Sequence, residues 1–355
     1  MKFELLAGLL GELARRPSHA YLLAGPRGVG KATVALGLAH SILCERSPGA
    51  GFCCTPENCA TRAASASAGR LPRVGAAAAP RCECCAACVQ AATGVHPDFI
   101  LVARNPNRTE VLIEQVRELI ERLGLRPARA PRRIAIIDDA QALNLSAQNA
   151  LLKTLEEPPG RAILFLITDS ERALLDTVRS RTRPVRFGPL EPAEIARVIS
   201  RRAKLEPAHA EAIARLARGS VARALALAGG DEPPVVELVA AIGNAHAIDF
   251  AAAQGLAQDF FGTREAAADN FELIARLIEE MLCFKLLGAP LTALSSEAAQ
   301  AMAETAGMLD AATLATLLGA ALEAAEAVDG MANSRLQAEQ WWMKAGAAIQ
   351  GAERG

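Results

Sequence analysis

The segment Gly25-Pro-Arg-Gly-Val-Gly30-Lys31 sets three glycines and a lysine between an apolar run and a helical pattern. Such a loop wraps backbone N–H groups around phosphate oxygens, the helix N-terminus adds positive dipole, and the lysine supplies a point charge. Gly25, Gly28, Gly30 and Lys31 are therefore candidate nucleotide ligands, with Thr33 just beyond them. The position after the lysine, where a hydroxyl would ligate Mg2+, is Ala32. One step along a helix turns a side chain by ~100°, so Thr33 does not replace it. The expectation is ATP bound weakly or not at all, without competent Mg2+ chemistry. The run Arg133-Ile-Ala-Ile-Ile137 ends in Asp138 and Asp139. Acids at the end of a strand beside a phosphate loop hold Mg2+ through water and activate the attacking water. Taken alone they read as solvated turn residues, and Asp139 reaches less far than a glutamate.

Cys82, Cys85 and Cys88 are separated by two residues each, a spacing that lets thiolates converge on one tetrahedral Zn2+ at about 2.3 Å. A fourth ligand is needed. Cys44, at the end of the phosphate-loop helix, is the best candidate, with Cys53, Cys54, Cys59 and Cys84 as competitors. Four thiolates close the coordination sphere, so the role is structural. Ser180-Arg181-Thr182 lies among Arg179, Arg183 and Arg186. A guanidinium there can reach the γ-phosphate of a neighbouring subunit; by itself the cluster reads as a solvated basic face. His19, His96 and His209 show no catalytic spacing, and no G-x-S-x-G element is present.

Five short apolar runs must position these groups, over residues 20–25, 99–103, 133–139, 162–168 and 185–187. They alternate with helical patterns at 31–43, 110–125 and 146–157, the last capped by Ser146 and stopped by Pro158 and Pro159. Near-continuous apolar strands between helices predict a parallel α/β sheet covered on both faces. Residues 45–81 have no usable period and read as a flexible surface insertion. Strand signals stop after Gly188. A small helical unit, a DEPP linker at 231–234 and an Ala/Leu-rich helical bundle follow. Trp341 and Trp342 face ~100° apart on a helix, which predicts one packed inward and one toward a partner.

With 355 residues, 51% hydrophobic and 22% charged, the chain has the composition of a globular protein of two or three domains. The net charge of −1 gives no overall drive toward nucleic acid or an anionic membrane. No secretory h-region and no apolar stretch of membrane-spanning length is apparent, so a cytoplasmic protein is expected, its crowded cysteines metal-bound rather than disulfide-bonded.

His19–Thr33, Cys84–Phe99, Asn149–Pro159 (NALLKTLEEPP) and Ser180–Thr182 together resemble the AAA+ clamp-loader subunits of bacterial DNA polymerase III, specifically the delta-prime kind, with Gly219–Leu227 a weaker match. The resemblance implies a RecA-like AAA+ domain over 1–188, a small helical lid over 189–232 and an all-α collar over 233–355. It implies Arg181 as an arginine finger acting in trans, Thr168 at the sensor-1 position and Arg223 near the sensor-2 position. Thr182 stands where the family has cysteine. Cys44, Cys82, Cys85 and Cys88 match the family's zinc ligands, although the Cys44–Cys82 gap is far longer than the family's usual spacing. The implied role is a non-hydrolysing subunit in a pentameric ring with gamma/tau and delta subunits, loading the sliding clamp onto primer-template DNA, with no membrane contact. The missing hydroxyl at Ala32 and the Asp139 carboxylate favour delta-prime over the alternative, an ATP-hydrolysing gamma/tau-type subunit.

Overall fold

Five strands, β1 (Ala20–Ala24), β2 (Phe99–Val102), β3 (Arg133–Ile137), β4 (Ala162–Thr168) and β5 (Arg183–Arg186), form one parallel sheet in the order β2-β3-β4-β1-β5. The computed structural model describes residues 17–45, 85–104, 110–203, 205–229, 235–261, 264–288, 296–329 and 332–352. The insertion at 46–81, Cys53, Cys54, Cys59, Cys82, Cys84 and the DEPP linker lie outside the described residues. The chain divides into two units, residues 1–189 and 190–355.

The pleat of the sheet feeds two cores in the first unit. Ala20, Leu22 and Ala24 of β1 join Ala135, Ile137, Leu164 and Leu166 on one face. Tyr21 and Leu23 join Ile134, Ile136, Phe165 and Ile167 on the other. Helix α1 (Lys31–Leu43) covers the second face through Ala35, Leu38 and Ile42; α2 (Ala86–Ala92) adds Ala91 there. Helices α3 (Ile113–Gly124) and α4 (Leu145–Glu156) cover the first through Val116, Leu119, Leu151 and Leu155. A sheet buried on both faces has no polar alternation, which is why its strands read as apolar runs.

Three local expectations change. Helix α4 begins at Leu145 and its cap is Asn144, whose side chain accepts the Ala147 N–H at 2.9 Å, rather than Ser146. The exposed Leu145 precedes the buried stripe, so periodicity placed the start late. Strand β5 starts two residues early because it is an edge strand with only Val185 buried, and an edge position tolerates Pro184. Two short helices, α2 and α5 (Asp176–Arg179), had no periodic signal of their own.

The second unit is helical and holds two separate cores. Helices α6 (Pro192–Ala203), α7 (Pro207–Leu216) and α8 (Val221–Gly229) close around Ile195, Ile199, Ile213 and Leu216. Helices α9 (Val235–Gly243), α10 (Phe250–Phe260), α11 (Arg264–Leu287), α12 (Ser296–Met308), α13 (Ala311–Asp329) and α14 (Ser334–Ala352) build the larger core around Phe261, Phe271, Trp341 and Trp342. Both tryptophans are buried, their rings edge to face at 4.7 Å, so neither is left for a partner. Helix α14 is flanked by α10, α11 and α13, and both of its tryptophan faces are covered. Against the sequence expectation, one described stretch, Ala311–Val328, is long and apolar enough by length and composition to cross a membrane. Its Leu314, Leu317, Ala321 and Val328 are core residues, and α13 packs along α11.

Candidate functional site

Parallel pairing aligns the carboxyl ends of β1, β3 and β4, with Ala24 opposite Thr168 and Ile137 opposite Leu166. The Gly25–Gly30 loop, Asp138, Asp139, Thr168 and Asp169 therefore meet at one edge, where ligands of open α/β sheets bind. Gly25 is required there: with φ +150°, a Cβ would lie 2.1 Å from the carbonyl oxygen of Phe187. Gly30 takes the left-handed conformation (φ 93°) that starts α1.

Lys31 is 5% exposed, and its ammonium donates to Gly25 O at 2.6 Å, Pro26 O at 2.8 Å and Asp169 Oδ1 at 2.6 Å. An ammonium has three donors, so its own chain saturates it. Asp169 in turn meets Gln141, whose Nε2 donates to Asp169 Oδ2 at 3.5 Å and to Asp139 Oδ1 at 3.1 Å. Asp139 sits in the left-handed region (φ 55°) and also accepts from Arg104 Nε at 3.4 Å. Burial, reinforced by the Asp139 charge, pushes the Asp138 carboxyl up to about 6. The Thr168 hydroxyl is engaged with Ser170, donating to its carbonyl at 2.9 Å and accepting its N–H at 3.1 Å. Ala32 packs against the second-face core, and Thr33 follows it on α1. The loop glycines, Lys31, Asp138 and Asp139 thus share one edge, and the residues that complete it are Asp169 and Gln141. An acid directly after β4, the neighbour of β1, was the available signal for Asp169.

Arg181 lies two residues beyond the end of α5, partly exposed. Its Nη2 pairs with Glu156 Oε1 at 2.7 Å, and Nη1 donates to Thr177 O at 3.1 Å. Arg186 pairs with Glu171 and Arg179 with Asp176, so the basic cluster is largely neutralised within the chain. Arg223, in the second unit, is buried; its Nη1 binds Glu272 at 2.6 Å and its Nη2 binds Asp269 O at 2.6 Å. Its guanidinium thereby ties α8 to α11.

The sulphurs of Cys44, Cys85 and Cys88 lie within 4.8 Å of one another, all three residues buried, and Cys44 Sγ is 3.9 Å from Cys85 Sγ. Tetrahedral Zn–S bonds of about 2.3 Å set sulphurs ~3.8 Å apart, so this trio fits three corners of such a site. Cys85 also caps α2, its sulphur accepting the Cys88 N–H at 3.4 Å. Burial, the hydrogen bond to Cys85 and the nearby Cys44 push the Cys88 thiol strongly up, a penalty that a bound cation would reverse. The His96–Phe99 motif proves to be scaffolding. Burial raises the Asp98 carboxyl, but three backbone N–H donors (Ala128, Arg129 and Ala130, at 2.7–2.9 Å) and Arg133 Nη2 at 3.2 Å bring it net below its ordinary value.

Residues 68–191 match the family described as DNA polymerase III, delta subunit. The delta-prime subunit of DNA polymerase III from Pseudomonas aeruginosa is 32% identical over 164 residues, 46% of this chain and 41% of that one. The delta-prime subunit from Bacillus subtilis is 31% identical over 218 residues, covering 61% and 56%. The gamma/tau subunit of Mycobacterium tuberculosis is 30% identical over 188 residues, covering 53% and 27%. The chain spans about half the length of the delta-prime relatives it matches. The matched segment carries the end of the cysteine cluster, the Asp138–Asp139 edge, α4 and the Arg181 turn, and over it this chain is similar to subunits of DNA polymerase III.

Proposed function

We propose that this chain is a non-hydrolysing, delta-prime-type subunit of a clamp loader. It assembles in the cytoplasm with gamma/tau and delta subunits in a pentameric ring that places the sliding clamp on primer-template DNA. Its own ATP site is idle, and it contributes Arg181 to the triphosphate bound by an adjacent subunit. The observation that carries this reading is the closed phosphate loop: Lys31 has no donor left for phosphate, and Ala32 offers no Mg2+ ligand. Arg181 by contrast stands at the surface, on a short helix end rather than in a core. Cys44, Cys85 and Cys88, with Cys82 as the fourth ligand, would hold a structural Zn2+ that joins the end of α1 to the start of α2. The metal supplies cross-linking there and takes no part in phosphoryl transfer.

The test is ATP hydrolysis by the reconstituted complex. Removing an arginine finger typically costs ~10³ to 10⁵ in rate, so Arg181→Ala should nearly abolish turnover and Lys31→Ala should leave it within about twofold of the parent. An unaffected Arg181→Ala complex, or collapse of the Lys31→Ala complex, refutes the assignment. The gamma/tau similarity motivates the rival reading of an active ATPase, and steady ATP turnover by the isolated chain would establish it.

A further inference from the structure

We infer that Glu156 is a positioning residue for Arg181, holding the guanidinium in place for a neighbour's triphosphate. This rests on the reading of Arg181 given above. Glu156 ends α4, and Glu157 follows it before Pro158 and Pro159. Two acids at the negative end of a helix dipole do not favour the helix, so α4's own stability does not account for Glu156. Its contact does. Glu156 Oε1 holds Arg181 Nη2 at 2.7 Å, while Nη1 donates to Thr177 O at 3.1 Å and to Ser180 Oγ at 3.3 Å. Of the five N–H donors of an arginine, Nε–H and one Nη2–H are left for phosphate oxygens.

The backbone that carries Arg181 is fixed from the same helix. Gln148, buried in α4, donates from Nε2 to Ala173 O at 3.1 Å and accepts the Leu175 N–H at 2.8 Å. Helix α4 thus grips the 173–181 segment at two points, eight residues or about two turns apart. One grip sets the turn and the other sets the side chain. A long, flexible arginine that is ordered before assembly loses less conformational freedom when it meets the triphosphate.

The test uses the reconstituted complex carrying the parent chain, Glu156→Ala, Glu156→Gln, Arg181→Ala or the double variant Glu156→Ala/Arg181→Ala. Glu156→Ala should lower kcat for ATP about fivefold, the scale of an exposed ion pair, with KM unchanged. Glu156→Gln, whose amide oxygen still accepts a hydrogen bond, should lose less. The double variant should be no slower than Arg181→Ala alone, because the two residues act as one unit. Glu156→Ala at or above the parent rate, or a further slowing of the Arg181→Ala complex by the same factor, overturns the inference while leaving the Arg181 reading intact. An Arg181→Ala complex as fast as the parent overturns both.

Discussion

Replacing Asp169 with asparagine should open the phosphate loop. The carboxylate now occupies one of the three Lys31 donors at 2.6 Å and is about one-third exposed. A phosphate oxygen that takes over that donor must sit near 3 Å from Nζ, which leaves the two anions ~5 Å apart if Asp169 stays. At an effective dielectric of ~40, between the surface and bulk-water values, their repulsion is about 1.7 kcal/mol per unit charge. Its removal should tighten nucleotide binding ~20-fold. Neutral asparagine also holds Lys31 less firmly, which acts in the same direction. Titration of the isolated chain with a fluorescent ADP in EDTA measures the change, and it should shrink with salt because Asp169 is partly exposed. Asp169→Asn/Lys31→Met should lose the gain. If Asp169→Asn binds ADP no more tightly than the parent, the idea that self-occupation keeps the loop closed is wrong.

Three further outcomes follow from the same geometry. Asp98→Asn should destabilise the first unit by about 3–5 kcal/mol in urea unfolding, since it removes a buried ion pair, and amide exchange at Ala128, Arg129 and Ala130 should accelerate. Because the folded Asp98 carboxyl titrates below its ordinary value, this contribution is present above the unfolded midpoint and fades as pH falls through the folded one, so the parent–variant difference should shrink in acid. Asp138 has the opposite sign: its carboxyl is pushed from 3.8 to about 6, so its stability contribution is fullest below 3.8 and falls as pH rises through 6. Asp138→Asn in EDTA should therefore gain up to about 3 kcal/mol at pH 8 relative to pH 4, and an equal difference at both pH values refutes this. Cys44→Ser should lower both the zinc content per chain and the melting temperature; zinc retained at the parent level would give the place of Cys44 in the ligand set to another cysteine.

The sequence showed the sheet clearly because a parallel sheet covered on both faces has apolar strands, and β4 and α1 match their expected limits. The phosphate loop was legible from its glycines. Its closure was not, since the contact of Lys31 with Asp169 joins residues that are distant in the chain. Cys44, the least secure of the expected ligands on spacing alone, lies beside Cys85 because α1 ends where α2 begins, and residue spacing does not report that proximity. Asp98 belongs to a segment that carries the resemblance yet serves the 128–130 turn. Trp341 and Trp342 misled because helical angle gives direction but not what lies there; α14 has neighbours on both sides. Arg223 reads as a phosphate sensor in the resemblance, and in the structure it ties two helices of the second unit together.

At Gly25 the space a Cβ would need is taken by the Phe187 carbonyl, and Phe187 gives an N–H to Ala24 O at 2.7 Å. Any side chain at that position would split β5 from the sheet, so natural selection would retain the glycine in a lineage that had stopped using nucleotide altogether. The first letter of a phosphate-binding signature can therefore outlive its chemistry, and its presence in such a chain speaks for an intact sheet before it speaks for a working pocket.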